Sequence, residues 1–105
     1  ICPCTGNTLA KLAAGIADTP VTLAAKSHLR NQRPVIIAVS TNDALAAAAK
    51  NIGELQNRRH YYFVPYQQDE PEGKPTSIVA DFSRCNEAVA AALAGKQLRP
   101  VFSQN

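Results

Sequence analysis

The sequence predicts an α/β fold, a doubly wound parallel sheet covered by helices, and two kinds of observation point to it. Residues 35–39 (VIIAV) and 61–64 (YYFV) are short, continuous apolar runs, rich in β-branched or aromatic side chains. A strand whose apolar residues do not alternate is buried on both faces, which is typical of a parallel sheet. Segments with helical spacing of apolar residues precede, separate and follow these runs, as an α/β layout requires.

Two helices are predicted ahead of the first buried strand. The first begins near Thr8, and its apolar stripe consists of Leu9, Leu12, Ala13 and Ile16. Residues 18–20 (DTP) end this helix and start the next, because Asp or Thr caps a helix and Pro suits its first turn. The second helix is predicted over residues 21–29.

The remaining elements follow in order. Residues 44–59 predict a third helix, whose inward stripe consists of Leu45, Ala48 or Ala49, Ile52 and Leu55. Residues 66–74 (YQQDEPEGK) are polar with Pro and Gly, and we expect them to form an exposed loop. Residues 87–93 predict the last helix, with Gly95 as its C-cap.

The chain accounts for only part of such a sheet. Residues 1–3 look like the end of a strand, so about three strands are present, whereas a complete doubly wound sheet has roughly five or six. At 105 residues the chain is one domain at most. We therefore expect residues 1–105 to be the C-terminal part of a single α/β domain whose first strands and helices are missing from this sequence.

Composition excludes several classes of function. The net charge of +3 is mild and the basic residues are scattered, so no basic stripe indicates a nucleic-acid-binding protein. No apolar run approaches the roughly 20 residues that a membrane-spanning helix needs. The three cysteines, Cys2, Cys4 and Cys85, fit no metal-binding spacing. We interpret them as small packed thiols in a reducing compartment, which favours the cytoplasm.

Two polar turns follow predicted strands, at the edge of the sheet where α/β proteins bind ligands. Residues 4–8 (CTGNT) precede the first helix, and residues 40–43 (STND) follow the first buried strand. Hydroxyls, amides, a Gly and free helix N–H groups suit an anionic or strongly hydrogen-bonding ligand. Plain helix capping by Thr and Asn is the alternative for the first turn.

No catalytic residue is assigned from these patterns. Neither turn is a dinucleotide-binding or P-loop motif, and no Ser-His-Asp arrangement is arguable. His28 is expected on a solvated helix face, and His60 at the start of a strand. Asp43 could bind a ligand or act as a base, or could simply complement the dipole of the third helix from its first turn.

The first turn and its helix resemble a known family. PCTGNTLAKLAAGIADTPVT is similar to the P-A-S-A-N-T segment of the flavin-binding cysteine decarboxylase family and to the A-K-x-A-x-G-I-A-D helix that follows it. The matching residues are Pro3, Asn7, Thr8, Lys11, Gly15, Ile16, Ala17 and Asp18. Residues 38–45 (AVSTNDAL) lie where that family has A-P-x-M-N, with Asn42 on its Asn.

This resemblance implies a Rossmann-like flavoprotein fold, trimer-based assembly and FMN in a cleft at the subunit interface. Thr5, Asn7 and Thr8 would contact flavin or substrate, and Asn42 would line the same cleft. With the rest of the two turns, the candidate cofactor- or substrate-binding residues are Pro3, Cys4, Thr5, Gly6, Asn7, Thr8, Ser40, Thr41, Asn42 and Asp43. Cys4-Thr5-Gly6 replaces the family's Ala-Ser-Ala, and nothing visible supports cysteine decarboxylation.

Further segments resemble one branch of this superfamily, whose members work with a separate nicotinamide-binding chain. They are residues 24–31 (AAKSHLRN), 62–80 (YFVPYQQDEPEGKPTSIVA) and 95–101 (GKQLRPV). The likeness implies an oxidoreductase subunit that acts on a small dicarboxylate from the lysine pathway in a sporulating cell, with NAD(P) bound only by the partner chain. A cofactor-free partner protein is the alternative. A flavin-dependent decarboxylase is disfavoured, because residues 62–80 are unlike the decarboxylases.

Overall fold

The computed structural model describes residues 1–103. Its helices are α1 (Gly6–Ala14), α2 (Pro20–Arg30), α3 (Ala49–Gln56) and α4 (Cys85–Leu93). Its strands are β1 (Val35–Ile37), β2 (Ser40–Thr41), β3 (Tyr61–Phe63), β4 (Tyr66–Gln67) and β5 (Ile78–Ala80). A short 3-10 helix, Phe82–Arg84, leads into α4.

A parallel sheet lies at the centre, as the sequence predicts. β1 and β3 pair in parallel, with Ile36 opposite Tyr62. The N-terminal residues run parallel to the end of β1, since Cys4 donates its N–H to the carbonyl of Ala38 at 2.7 Å. Phe102 forms a parallel bridge with Tyr66, the first residue of β4. The predicted α/β class with a parallel sheet is therefore confirmed.

An antiparallel element that the sequence analysis missed widens the carboxyl edge of this sheet. β5 is antiparallel to both β2 and β4, with Val79 paired to Ser40 and to Gln67. β5 thus lies between β2, which follows β1, and β4, which follows β3, whereas β1 and β3 pair directly over all three of their residues. The prediction of a loop over residues 66–74 is wrong at Tyr66 and Gln67, because both belong to β4.

The second helix lies where it was predicted, whereas the first begins at Gly6 and ends at Ala14, before the predicted stop at residues 18–20. Thr19 caps α2, and its hydroxyl and that of Thr22 each accept a backbone N–H of the other residue in a capping box. Gly15 ends α1 in the left-handed conformation, with φ of 76°. Ile16 lies beyond this end and is exposed, so its predicted place on the inward stripe of α1 is wrong.

The third helix is shorter than predicted. Residues 42–48 form consecutive turns, and α3 begins only at Ala49. Ala48, Ile52 and Leu55 are buried as expected, whereas Leu45 is exposed. The last helix, α4, starts two residues before its predicted start and is followed by Gly95 in the left-handed conformation.

The helices pack against one another and against the sheet. α1 contacts both α2 and α3, and α4 contacts β1 and β3. The largest fully buried side chains include Leu9, Ile37, Leu55 and Phe63, so helices and sheet share one apolar core. Within residues 1–103, no helix is long and apolar enough to span a bilayer.

Candidate functional site

The two polar turns meet at Gly6, the first residue of α1. A Cβ atom at this position would lie 3.1 Å from Thr41 Oγ1 and 3.3 Å from Asp43 Oδ1. Thr41 in turn donates its hydroxyl to Asp43 Oδ1 at 2.6 Å. Cys4, the first residue of one turn, is bridged in parallel to Val39, which precedes the other. The turns therefore lie side by side at the carboxyl edge of the sheet, where sequence reasoning expected them.

Thr5 stands before α1 without capping it. Its backbone is extended, with φ of −87° and ψ of 170°, but its side chain accepts no hydrogen bond from the helix. The plain capping alternative is therefore wrong for Thr5, in contrast to Thr19 at the start of α2. Because Thr5 is also exposed, its hydroxyl is available to a bound molecule.

Asp43 does not occupy the position that its sequence context indicated. The first turn of α3 contains no acidic residue, because that helix begins six residues after Asp43. The Asp43 carboxylate instead lies against Gly6, at the N-terminus of α1. A negative charge is favoured at that end of a helix, so Asp43 complements the dipole of α1 rather than that of α3.

Asn42 is anchored to the segment that enters β5. Its carbonyl oxygen accepts the hydroxyl of Thr76 at 2.6 Å, and its side-chain Oδ1 accepts the hydroxyl of Ser77 at 3.4 Å. The N–H of Leu45 donates to the carbonyl of Thr76 at 3.0 Å. A hydrogen bond from Ser77 is the main cause that holds the pKa of Asp69 below its usual value. Thr76 and Ser77 therefore hold the turn to the segment that enters β5.

The ten predicted site residues differ in exposure. Thr5, Asn7 and Asn42 are exposed at the meeting point of the turns. The half-buried members are Gly6, Thr8, Ser40, Thr41 and Asp43. Within the two turns, the side chains of Thr5, Asn7 and Asn42 are therefore the most accessible to a ligand.

Cys4 and Pro3 lie apart from this group. The Cys4 side chain is fully buried, and burial raises the pKa of its thiol from 9.0 to about 12. Its N–H and carbonyl are both used in bonds to Ala38 and Ser40. Pro3 is exposed but lines an apolar groove together with Val21 and Val89. Cys4 therefore packs the strand end, and Pro3 faces α2 and α4.

Arg58 holds the C-terminal end of α1 and was not identified in the sequence analysis. Its guanidinium donates to the carbonyl oxygens of Leu12 at 3.0 Å and Ala13 at 2.6 Å, at the C-terminal end of α1. It also pairs with Glu54, one turn earlier in α3. Arg58 thus ties α1 to α3, and no sequence pattern indicates a contact across 46 residues.

Comparison with known proteins identifies the family. Residues 1–92 match the family described as Flavoprotein. The chain belongs to the Flavoprotein family. It is 41% identical over 105 residues to the dipicolinate synthase B subunit of Bacillus subtilis (strain 168). It also superposes on the crystal structure of the dipicolinate synthase B subunit from Bacillus halodurans C, with a TM-score of 0.98 and 43% identity.

These relatives are longer than the chain. Both comparisons cover the whole of this chain, but they cover only 52% of the Bacillus subtilis protein and 54% of the Bacillus halodurans chain. The chain therefore spans about half the length of the relatives it matches. Membership of the Flavoprotein family implies a flavin cofactor.

Proposed function

We propose that this chain is part of a flavin-binding B subunit of a dipicolinate synthase. In this proposal it acts with a nicotinamide-binding A subunit to oxidise a hydroxytetrahydrodipicolinate of the lysine pathway to dipicolinic acid during sporulation. The cofactor is FMN, NAD(P) binds only to the A subunit, and the protein is a cytoplasmic, trimer-based homo-oligomer. The name of the two relatives and the identity across the whole chain support this assignment.

The observation that carries the proposal is the contact between the two turns at Gly6. The turns belong to a member of the Flavoprotein family and offer hydroxyl and amide groups around one point of the sheet edge. Because Gly6 has no side chain, Thr41 and Asp43 can lie close to the backbone at the start of α1. In the proposed fold the sheet is doubly wound and Rossmann-like, and such sheets bind ligands at this edge.

The donor set fits a flavin or a dicarboxylate. Thr5, Asn7, Thr8 and Asn42 carry hydroxyl or amide groups that can hydrogen-bond carbonyl and carboxylate oxygens. When bound, a flavin supplies a two-electron hydride acceptor. Conversion of a hydroxytetrahydropyridine to a pyridine requires loss of one water and removal of two electrons with two protons. The residues of the chain bind and orient the substrate for these steps.

Asp43 has a defined part in this arrangement. Its carboxylate, held by Thr41 at 2.6 Å, stands at the N-terminus of α1 and next to the proposed binding position. It repels a ligand carboxylate placed beside it at the start of α1. No residue of the chain is assigned to proton transfer.

A visible absorption spectrum of the purified intact protein, before and after addition of FMN, tests the proposal. We expect the spectrum of bound flavin, with its band shifted from that of free FMN, and flavin retained through gel filtration. Absence of binding at saturating FMN would contradict the flavin assignment. A cofactor-free partner protein would then be the remaining function, with the turns binding substrate or the A subunit.

A further inference from the structure

Ser77 is a buried polar residue outside the two turns. Only 2% of its surface is exposed, and it lies just before β5, at the end of the loop that follows β4. Its hydroxyl donates to Asn42 Oδ1 at 3.4 Å. Asn42 itself is exposed, and within the described residues this contact is the hydrogen bond that its side-chain amide makes. A buried hydroxyl beside an exposed amide is placed to control how that amide is presented.

The backbone around this contact is already fixed by other bonds. Thr76 donates its hydroxyl to the carbonyl of Asn42 at 2.6 Å, and the Thr76 carbonyl accepts the N–H of Leu45 at 3.0 Å. Strand pairing of Thr41 with Ile78 adds a third connection. The turn therefore stays in place without Ser77, and the Ser77 hydroxyl acts on the orientation of the Asn42 side chain.

We propose that Ser77 is a positioning residue that orients the Asn42 amide toward the ligand of the cleft. This inference rests on the proposed function, in which Asn42 lines that cleft. With Oδ1 held by Ser77, the Nδ2 hydrogens are the groups that Asn42 offers, and they suit a carbonyl or carboxylate oxygen. The ligand group opposite Asn42 is therefore a hydrogen-bond acceptor.

The carboxylate of Asp69 is a second acceptor near the Ser77 hydroxyl. The hydroxyl has one proton, so it can donate to one of these acceptors at a time. If it donated to Asp69, Ser77 Oγ could only accept from the Asn42 amide, which would turn Nδ2 toward Ser77 and present Oδ1 to the ligand. In the structure the hydroxyl donates to Asn42 Oδ1, so the Nδ2 hydrogens are the groups that Asn42 offers to the ligand.

A double-mutant cycle on FMN affinity, measured by flavin fluorescence titration of the intact protein, tests the proposal. We expect Ser77→Ala to weaken binding about threefold to tenfold, the net value of one neutral hydrogen bond. If Ser77 acts through Asn42, the double variant Ser77→Ala/Asn42→Ala binds no more weakly than Asn42→Ala alone. Independent losses that multiply in the double variant would overturn the proposal. Ser27→Ala, on the exposed face of α2, is the matched control and should not change affinity.

Crystal structures separate this inference from the proposed function. If the wild-type protein binds no FMN, the flavin assignment fails, but the Asn42 side chain can still be compared in wild type and Ser77→Ala. We expect the Asn42 side chain to change its orientation in the Ser77→Ala structure. An unchanged Asn42 orientation would overturn the proposed role of Ser77. If circular dichroism shows that Ser77→Ala does not fold, Ser77→Cys, which keeps the size with a weaker donor, takes its place.

Discussion

Thr41 donates a 2.6 Å hydrogen bond to Asp43, and both ends of this bond lie against Gly6 at the start of α1. The bond closes the turn after β2 on itself and places a carboxylate at the N-terminus of a different helix. It therefore connects two segments that are more than 30 residues apart in the chain. The arrangement of the two turns depends on this contact, and the consequences of breaking it can be measured.

A methyl group at Gly6 should separate the two turns. Gly6→Ala places Cβ 3.1 Å from Thr41 Oγ1, so the Thr41–Asp43 bond must shift or break. We expect the free energy of unfolding to fall by about 1 kcal/mol, the value of one hydrogen bond, and FMN affinity to fall with it. Urea unfolding followed by circular dichroism measures the first effect, and fluorescence titration the second.

Gly53→Ala is the matched control for this change. Gly53 lies inside α3, and a Cβ there meets no atom within 4 Å. Alanine in a helix interior is favoured over glycine, so this variant should gain about 0.5–1 kcal/mol of stability. FMN affinity should stay at the wild-type value. Equal destabilisation by both substitutions would contradict the contact at Gly6.

Loss of the Arg58 side chain should loosen α1. Arg58→Ala leaves the carbonyl oxygens of Leu12 and Ala13 without their guanidinium donor. We expect a loss of about 1–3 kcal/mol in the free energy of unfolding, because hydrogen bonds with a charged partner are stronger than neutral ones. The neighbouring Arg59 is exposed, and Arg59→Ala should stay within about 0.5 kcal/mol of wild type. Urea unfolding of both variants measures these changes. An Arg58→Ala variant as stable as the wild type would contradict a role of Arg58 in tying α1 to α3.

The Cys4 thiol should be inert in the folded protein. Its pKa is raised from 9.0 to about 12 by burial, so the reactive thiolate is absent near neutral pH. Iodoacetamide at pH 8, followed by peptide mass spectrometry, should label the exposed Cys2 and leave Cys4 unmodified until urea is added. Rapid labelling of Cys4 without denaturant would show that the strand end opens.

The same raised pKa gives a pH dependence of stability. Between pH 9.0 and about 12 the unfolded thiol loses its proton and the folded one keeps it. The unfolded state therefore binds fewer protons, and the contribution of Cys4 to stability falls as pH rises through this window. The free energy of unfolding of Cys4→Ala should fall less steeply there than that of wild type. If the free energy of unfolding falls equally steeply with pH in Cys4→Ala and in the wild type, the Cys4 thiol is not the cause of this pH dependence.

The sequence predicts elements whose signals are local. Thr19 and Pro20 indicate the start of α2, and the apolar runs indicate β1 and β3, because capping and burial are visible in neighbouring residues. The meeting of the two polar turns was also predictable, since both follow parallel strands at the same edge. Local patterns are therefore sufficient for the layout and for the place of the site.

Elements fixed by distant contacts were not predictable. The run of alanines after Asp43 indicates a helix, but the structure has turns there. The N–H of Leu45 donates to the distant carbonyl of Thr76, and such a tertiary contact outweighs the weak intrinsic helix propensity of the segment. Likewise, β2 and β4 have two residues each and exist because β5 pairs with both. The role of Ser77 follows from the same pairing and leaves no pattern in the sequence around it.

The FMN affinity of Asn7→Ala, compared with that of Asn86→Ala, tests the central claim most directly. Each Asn is exposed and is the second residue of its helix, Asn7 in α1 and Asn86 in α4, so the two substitutions cost the helices alike. If flavin binds where the two turns meet, Asn7→Ala should weaken FMN binding about tenfold, while Asn86→Ala keeps wild-type affinity. Equal affinities for both variants and the wild type would contradict a flavin site at this turn.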